Sequence, residues 1–189
     1  MRAPALKINL PNFLTLCRIL ATPLIIILML GGRYELALLV FTLAGITDAL
    51  DGFIARCFDQ KTELGAFLDP IADKALIIAS FVTLGAQGVI PAWLSVIVIS
   101  RDVVILTGIA ILQIRGLEVT IHPSVVSKFT TGAQLASVFM ALAAIRWAGL
   151  SPFQAGFYWA TALLTTISGL HYIYVGLGIL QAPSDGAGQ

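Results

Sequence analysis

Six predominantly apolar stretches of about twenty residues or more dominate this chain and leave few folds open to it. At about 1.5 Å per helical residue, each is long enough to cross roughly 30 Å of hydrocarbon. They run over Asn12–Leu30, Glu35–Arg56, Gly65–Gly85, Pro91–Ile114, Ser127–Trp147 and Phe153–Leu180. Turn chemistry separates them: Gly31-Gly32, Gly85 to Pro91, Arg115-Gly116, His122-Pro123 and Gly149 to Pro152. Only 11% of the 189 residues are charged, 58% are hydrophobic, and mean hydropathy is +0.95. A soluble domain carries about 25% charged residues, so this chain has too few to cover a surface in water. The expected fold is all-α: a polytopic membrane protein of six transmembrane helices, forming one domain over 1–181. The Gly-rich tail 182–189 is expected to be disordered.

Basic residues near the span ends set the orientation. Arg2, Lys7, Arg56, Lys61 and Arg115 fall on the N-terminal side, and Arg33 and Arg146 on the other, which predicts a cytoplasmic N-terminus. Residues Lys7–Leu20 mix polar and apolar positions and are suited to start as an interfacial helix. The run Phe13–Leu30 is too long for a signal core and is expected to remain in the mature protein. A net charge of +1 offers no basic face for nucleic acid. Cys17 and Cys57 form neither a CxxC pair nor a metal-finger spacing and read as packing residues.

The chemistry concentrates in residues 48–74. Asp48 and Asp51 are three apart, and Gly65, Asp69 and Asp73 recur every four, so on helices each set shares a face. Two helices joined by a short loop would bring four carboxylates around one point. Each carboxylate in a bilayer costs about 2.5–3.5 kcal/mol, or on the order of 10 kcal/mol for four. Arg56 and Lys74 offset part of this, and divalent cations offset more. Oxygen ligands select Mg²⁺, Mn²⁺ or Ca²⁺, and four carboxylates suffice for two ions. Gly52, Gly65 and Ala55 keep the surface low enough for a phosphate or nucleotide to approach the backbone. The planar fork of Arg56 is suited to clamp a phosphate.

The pattern D-x2-D-G-x2-A-R-x8-G-x3-D-x3-D, filled at all eight fixed positions by residues 48–73, resembles the signature of the CDP-alcohol phosphotransferase family. The likeness runs from P-N-x-x-T-x-x-R at Pro11–Arg18 through the sixth span. It implies a six-helix membrane fold, commonly dimeric, whose site opens to the cytoplasm, here at the inner membrane of a bacterium. It implies transfer of a phosphatidyl group from CDP-diacylglycerol to an alcohol, dependent on Mg²⁺ or Mn²⁺. By the same resemblance Asp48, Asp51 and Asp69 ligate metal, and Asp73 completes the metal site and acts as base. Gly52, Ala55, Arg56 and Gly65 contact the CDP moiety, and Thr15 and Arg18 lie near its phosphates.

Two later segments, I-S-R-D-V at 99–103 and P-S-x-x-S-K at 123–128, bear on the acceptor. They are more similar to the family's cardiolipin synthases, whose acceptor is phosphatidylglycerol. Phosphatidylglycerophosphate synthases, which use glycerol 3-phosphate, usually show Arg-Glu in place of Arg101-Asp102 and a further Arg downstream. Arg101 and Lys128 are the candidate contacts for an acceptor phosphate.

Plainer readings stand beside these. The aspartates also suit a cation transporter, a polar network between helices, or a scaffold without activity. Arg101 and Asp102 suit an interhelical ion pair, and Lys128 and Arg18 suit snorkelling. His171 suits a hydrogen bond between helices. Trp93, Trp147, Trp159, Tyr34 and Tyr158 suit anchors at the membrane interface.

Overall fold

A computed structural model describes residues 10–57, 63–115 and 125–181. They form six long helices: α1 (Leu10–Leu30), α2 (Tyr34–Cys57), α3 (Glu63–Ala86), α4 (Ala92–Ile114), α5 (Val125–Arg146) and α6 (Ser151–Gln181). A single 3₁₀ turn, Ala148–Leu150, leads into α6. Every helix end lies within two residues of the boundary expected from the sequence. The tail 182–189 and His122 lie outside the described residues.

Glycine sets two of these ends. Gly32 has φ 69° and Gly88 has φ 72°, the left-handed conformation that a side chain disfavours. After α1, Arg33 N–H donates to Leu28 O at 2.8 Å and Gly32 N–H to Met29 O at 3.0 Å. After α3, Val89 N–H donates to Leu84 O at 2.9 Å and Gly88 N–H to Gly85 O at 3.1 Å. Both pairs form the crossed C-terminal cap that uses up otherwise orphaned carbonyls. Gln87 adds a donor from its side chain to Met29 O at 2.8 Å.

The distribution of side chains is that of a protein in lipid. Large apolar residues such as Leu20, Ile27, Val96, Phe129 and Leu163 are exposed on their helices. Thr15, Arg18, Arg101, Asp102, Gln134 and Ser168 are buried. Exposed apolar surface of this extent marks contact with a membrane. Among the described residues, three segments are long and apolar enough to cross one: Ala92–Leu112, Val126–Arg146 and Ala148–Ile179. The expectation of six such spans is therefore corrected to three by length and composition. The apolar part of the first helix, Thr15–Leu30, is shorter. α2 and α3 carry Glu35, Asp48, Asp51, Arg56, Asp69, Asp73 and Lys74 within their length.

The helices group into two compact units. In the first, α1 packs on α2 and on α3, with Ile25, Met29, Phe41, Phe81 and Leu84 buried in its core. Arg146, at the end of α5, pairs with Glu35 at 2.7 Å on the surface of this unit.

The second unit holds α4, the first half of α5, and α6. Here α5 and α6 run antiparallel along a polar seam. Ser137 and Thr161 share a hydrogen bond of 2.8 Å, Thr161 donates to Ala133 O at 2.9 Å, and Thr130 donates to Leu164 O at 3.2 Å. Gln134 donates to Thr165 at 3.4 Å. Apolar side chains have no reason to prefer each other over lipid tails, so such bonds and close packing hold the helices together. Trp93 and Trp159 lie with ring centroids 5.0 Å apart, both exposed. Tyr158 is buried, unlike an interface anchor.

Candidate active site

Three helices of the first unit converge on one cation. Arg18 on α1 directs Nη2 to Asp48 Oδ1 on α2 at 2.6 Å and Nη1 to Asp73 Oδ1 on α3. The guanidinium side chain is 1% exposed, whereas Asp48 and Asp73 are 39% and 37% exposed. The cation thus lies on the buried side of the two acids. Thr15, one turn before Arg18, is buried as well. One turn after it, Thr22 donates its hydroxyl to Arg18 O at 3.0 Å. This contact lies beside Pro23, which lacks the N–H of an ordinary helical residue.

The structure therefore unites two of the four predicted acidic residues, from separate helices, at a single positive charge. Asp51 lies on α2 and Asp69 on α3, at the helical spacings expected. The surroundings of these two side chains, and of Gly52, Ala55, Arg56 and Gly65, are not among those described. Among the described residues no group of three or more acidic, histidine or cysteine ligands assembles. Asp48 and Asp73 supply carboxylate oxygens, the kind of donor that a hard divalent ion takes.

A second cluster of charge lies in the second unit. Arg101 on α4 pairs through Nη1 with Asp102 Oδ1 at 2.7 Å. Its Nη2 donates to Ser127 Oγ on α5 and to Ser168 Oγ on α6, both at 2.8 Å. The guanidinium carbon stands 5.6 Å from the centroid of the Tyr172 ring. Arg101 and Asp102 side chains are 6% and 5% exposed. Lys128, in the first turn of α5, is exposed. His171 is exposed and meets the Tyr172 ring edge-on at 6.3 Å, in place of the hydrogen bond between helices expected for it.

Residues 8–167 match the family of CDP-alcohol phosphatidyltransferases. The chain belongs to that family. It is similar to a probable CMP-forming cardiolipin synthase of Drosophila melanogaster, 35% identical over 87% of this chain and 56% of that protein. The human CMP-forming cardiolipin synthase is 34% identical over 94% of this chain and 64% of its own length. The CDP-diacylglycerol–glycerol-3-phosphate 3-phosphatidyltransferase of Bacillus subtilis is 33% identical over 87% of this chain and 93% of its own. The chain thus spans less than two thirds of the two animal relatives.

For this CDP-alcohol phosphatidyltransferase family member, the matched stretch contains the first cluster whole and Arg101, Asp102 and Ser127 of the second, with Ser168 and Tyr172 just beyond its end. Sequence reasoning gave the task of offsetting the acids to Arg56 and Lys74 and missed that Arg18 does so. It also missed Ser127, Ser168 and Tyr172 around Arg101. A signal for those was present: Thr161, Thr165, Ser168 and Tyr172 recur at intervals of three or four along α6. So do Ser127, Thr130, Gln134 and Ser137 along α5. A polar stripe of this period within an apolar run marks a helix face turned away from lipid.

Proposed function

We propose that the chain transfers a phosphatidyl group from CDP-diacylglycerol to a glycerol-type alcohol and releases CMP. The observation that carries this reading is the meeting of Asp48 and Asp73 at Arg18, within a stretch that fills the family signature. In this reading the acids lie near the cytoplasmic face of the membrane and two chains form a dimer.

Asp73 serves as the base. It takes the proton of the acceptor hydroxyl as the oxygen attacks the phosphorus that bears the diacylglycerol, and CMP departs with the other phosphate. Asp48, Asp51, Asp69 and Asp73 would hold Mg²⁺ or Mn²⁺, in two ions, which when bound supply neutralisation of the pyrophosphate charge. Gly52, Ala55 and Gly65 leave room for the CDP moiety against the backbone, and Arg56 grips its phosphates. Thr15 and Arg18 line the same site from α1. Family membership favours this transfer over cation transport by the same aspartates.

For the acceptor we take phosphatidylglycerol, on the segments at 99–103 and 123–128. Glycerol 3-phosphate is the second reading, favoured by the Bacillus subtilis relative, which this chain matches over 93% of that protein's length. Both Nη atoms of Arg101 are engaged by Asp102, Ser127 and Ser168. Arg101, neutralised by Asp102, is left a supporting part in this reading, and the acceptor phosphate is assigned to Lys128, which is exposed. Lys128→Ala is expected to raise the acceptor KM about tenfold, a loss typical of a charge-assisted contact, and to leave that of CDP-diacylglycerol nearly unchanged. Equal effects on both would remove Lys128 from the acceptor site.

The test offers purified protein CDP-diacylglycerol and Mn²⁺ with phosphatidylglycerol, glycerol 3-phosphate, serine or inositol in separate reactions. Cardiolipin is the expected product. Phosphatidylglycerophosphate would establish the second reading, and no lipid product from any acceptor would refute both.

A further inference from the structure

Arg18 holds a place in the acid site that a substrate contact alone does not explain. Its guanidinium is almost fully covered, on a helix whose neighbouring Leu16 and Leu20 are exposed apolar residues. Both of its Nη atoms are directed at carboxylates, on two different helices, and in each case at Oδ1. Burying a guanidinium is unfavourable unless opposite charge meets it, and two carboxylates in an apolar setting repel unless a cation joins them. The charges of the three side chains offset one another. The acids meanwhile stay more than a third exposed on the side away from Arg18. A divalent ion reaching them from that side meets carboxylates whose negative charge the guanidinium already partly offsets.

We infer that Arg18 is the resident counter-cation of the acid site: it holds Asp48 and Asp73 together when no metal is bound, and competes with a divalent metal for them. This rests on the proposed metal role of those two residues. It gives the site two states, one bridged by arginine and one by metal. Metal entry then weakens the grip of Arg18 and frees its planar fork for another anion. A residue that only touched the nucleotide would leave the affinity for metal alone unchanged.

The test is Mn²⁺ titration of detergent-purified protein without nucleotide, read by the electron-paramagnetic signal of free Mn²⁺ and paired with unfolding midpoints in metal-free and Mn²⁺ buffers. Arg18→Gln removes a unit charge beside the ligands, and with screening by solvent at the half-open acids this is expected to tighten Mn²⁺ binding roughly tenfold. Its metal-free midpoint falls below wild type, and Mn²⁺ raises that midpoint by more than it raises the wild-type one. Recovery of folded Arg18→Gln protein only when Mn²⁺ is present throughout purification supports the same conclusion. Arg18→Lys, which keeps the charge but loses the two-armed geometry, is expected to lie between. Equal or weaker Mn²⁺ binding by both variants, with wild type binding normally, overturns the role of Arg18 alone. Asp48→Asn is the control, expected to lose Mn²⁺ binding. If wild type and Asp48→Asn take up Mn²⁺ alike, the metal role of these acids fails, and the inference with it.

Discussion

Asp73→Asn is expected to lower turnover about 10²- to 10⁴-fold, the range that a positioned general base contributes. The change keeps the size of the side chain and removes its capacity to accept a proton. Asp73 is more than a third exposed, and the buried Arg18 keeps its ion pair with Asp48 in the variant, so loss of this one pair costs little stability. The variant should therefore unfold in detergent within a few degrees of wild type. Turnover and the unfolding midpoint, measured on one preparation, separate the two effects. Near-normal turnover would remove Asp73 from the chemistry, whereas loss of turnover with collapse of the midpoint would give it a structural role instead.

The largest effect on stability is expected at the other cluster. Arg101→Met is expected to cost about 3–5 kcal/mol, because it takes the opposite charge of Arg101 away from a buried carboxylate. Asp102 is 5% exposed and pairs with Arg101 at 2.7 Å, so its charge has little water to fall back on. The same change removes the donor that joins Ser127 on α5 to Ser168 on α6. Adding Asp102→Asn removes the buried charge and is expected to restore more than half of the loss. Unfolding free energies of the two single variants and the double variant form a cycle that reads this directly. Additive losses would show that Arg101 stabilises the unit through its serine contacts and not through its pairing with Asp102.

The placement of the helices was open to sequence reasoning because two local signals coincide. Apolar runs define the bodies of the helices, and Gly32 and Gly88 end two of them with backbone angles that favour glycine. The number of apolar spans was less legible. α2 and α3 carry their acids inside the helical run, and there the demands of chemistry and of the membrane pull in opposite directions. Spacing placed Asp48 and Asp73 on helices and anticipated their convergence. It did not show what meets them. Arg18 lies 55 residues from Asp73, and the register of α1 against α3 depends on packing between distant segments. The seam from Thr130 to Ser168 is the opposite case: its period is local and stands in the sequence, and only its partners needed the fold.

The most direct measurement is release of CMP from CDP-diacylglycerol by the purified protein in lipid–detergent micelles, with the divalent cation and the acceptor varied independently. Release is expected to require both Mg²⁺ or Mn²⁺ and a glycerol-type acceptor, and to stop on addition of EDTA. Release that proceeds unchanged in EDTA, or no release under any combination, would contradict the proposed transfer.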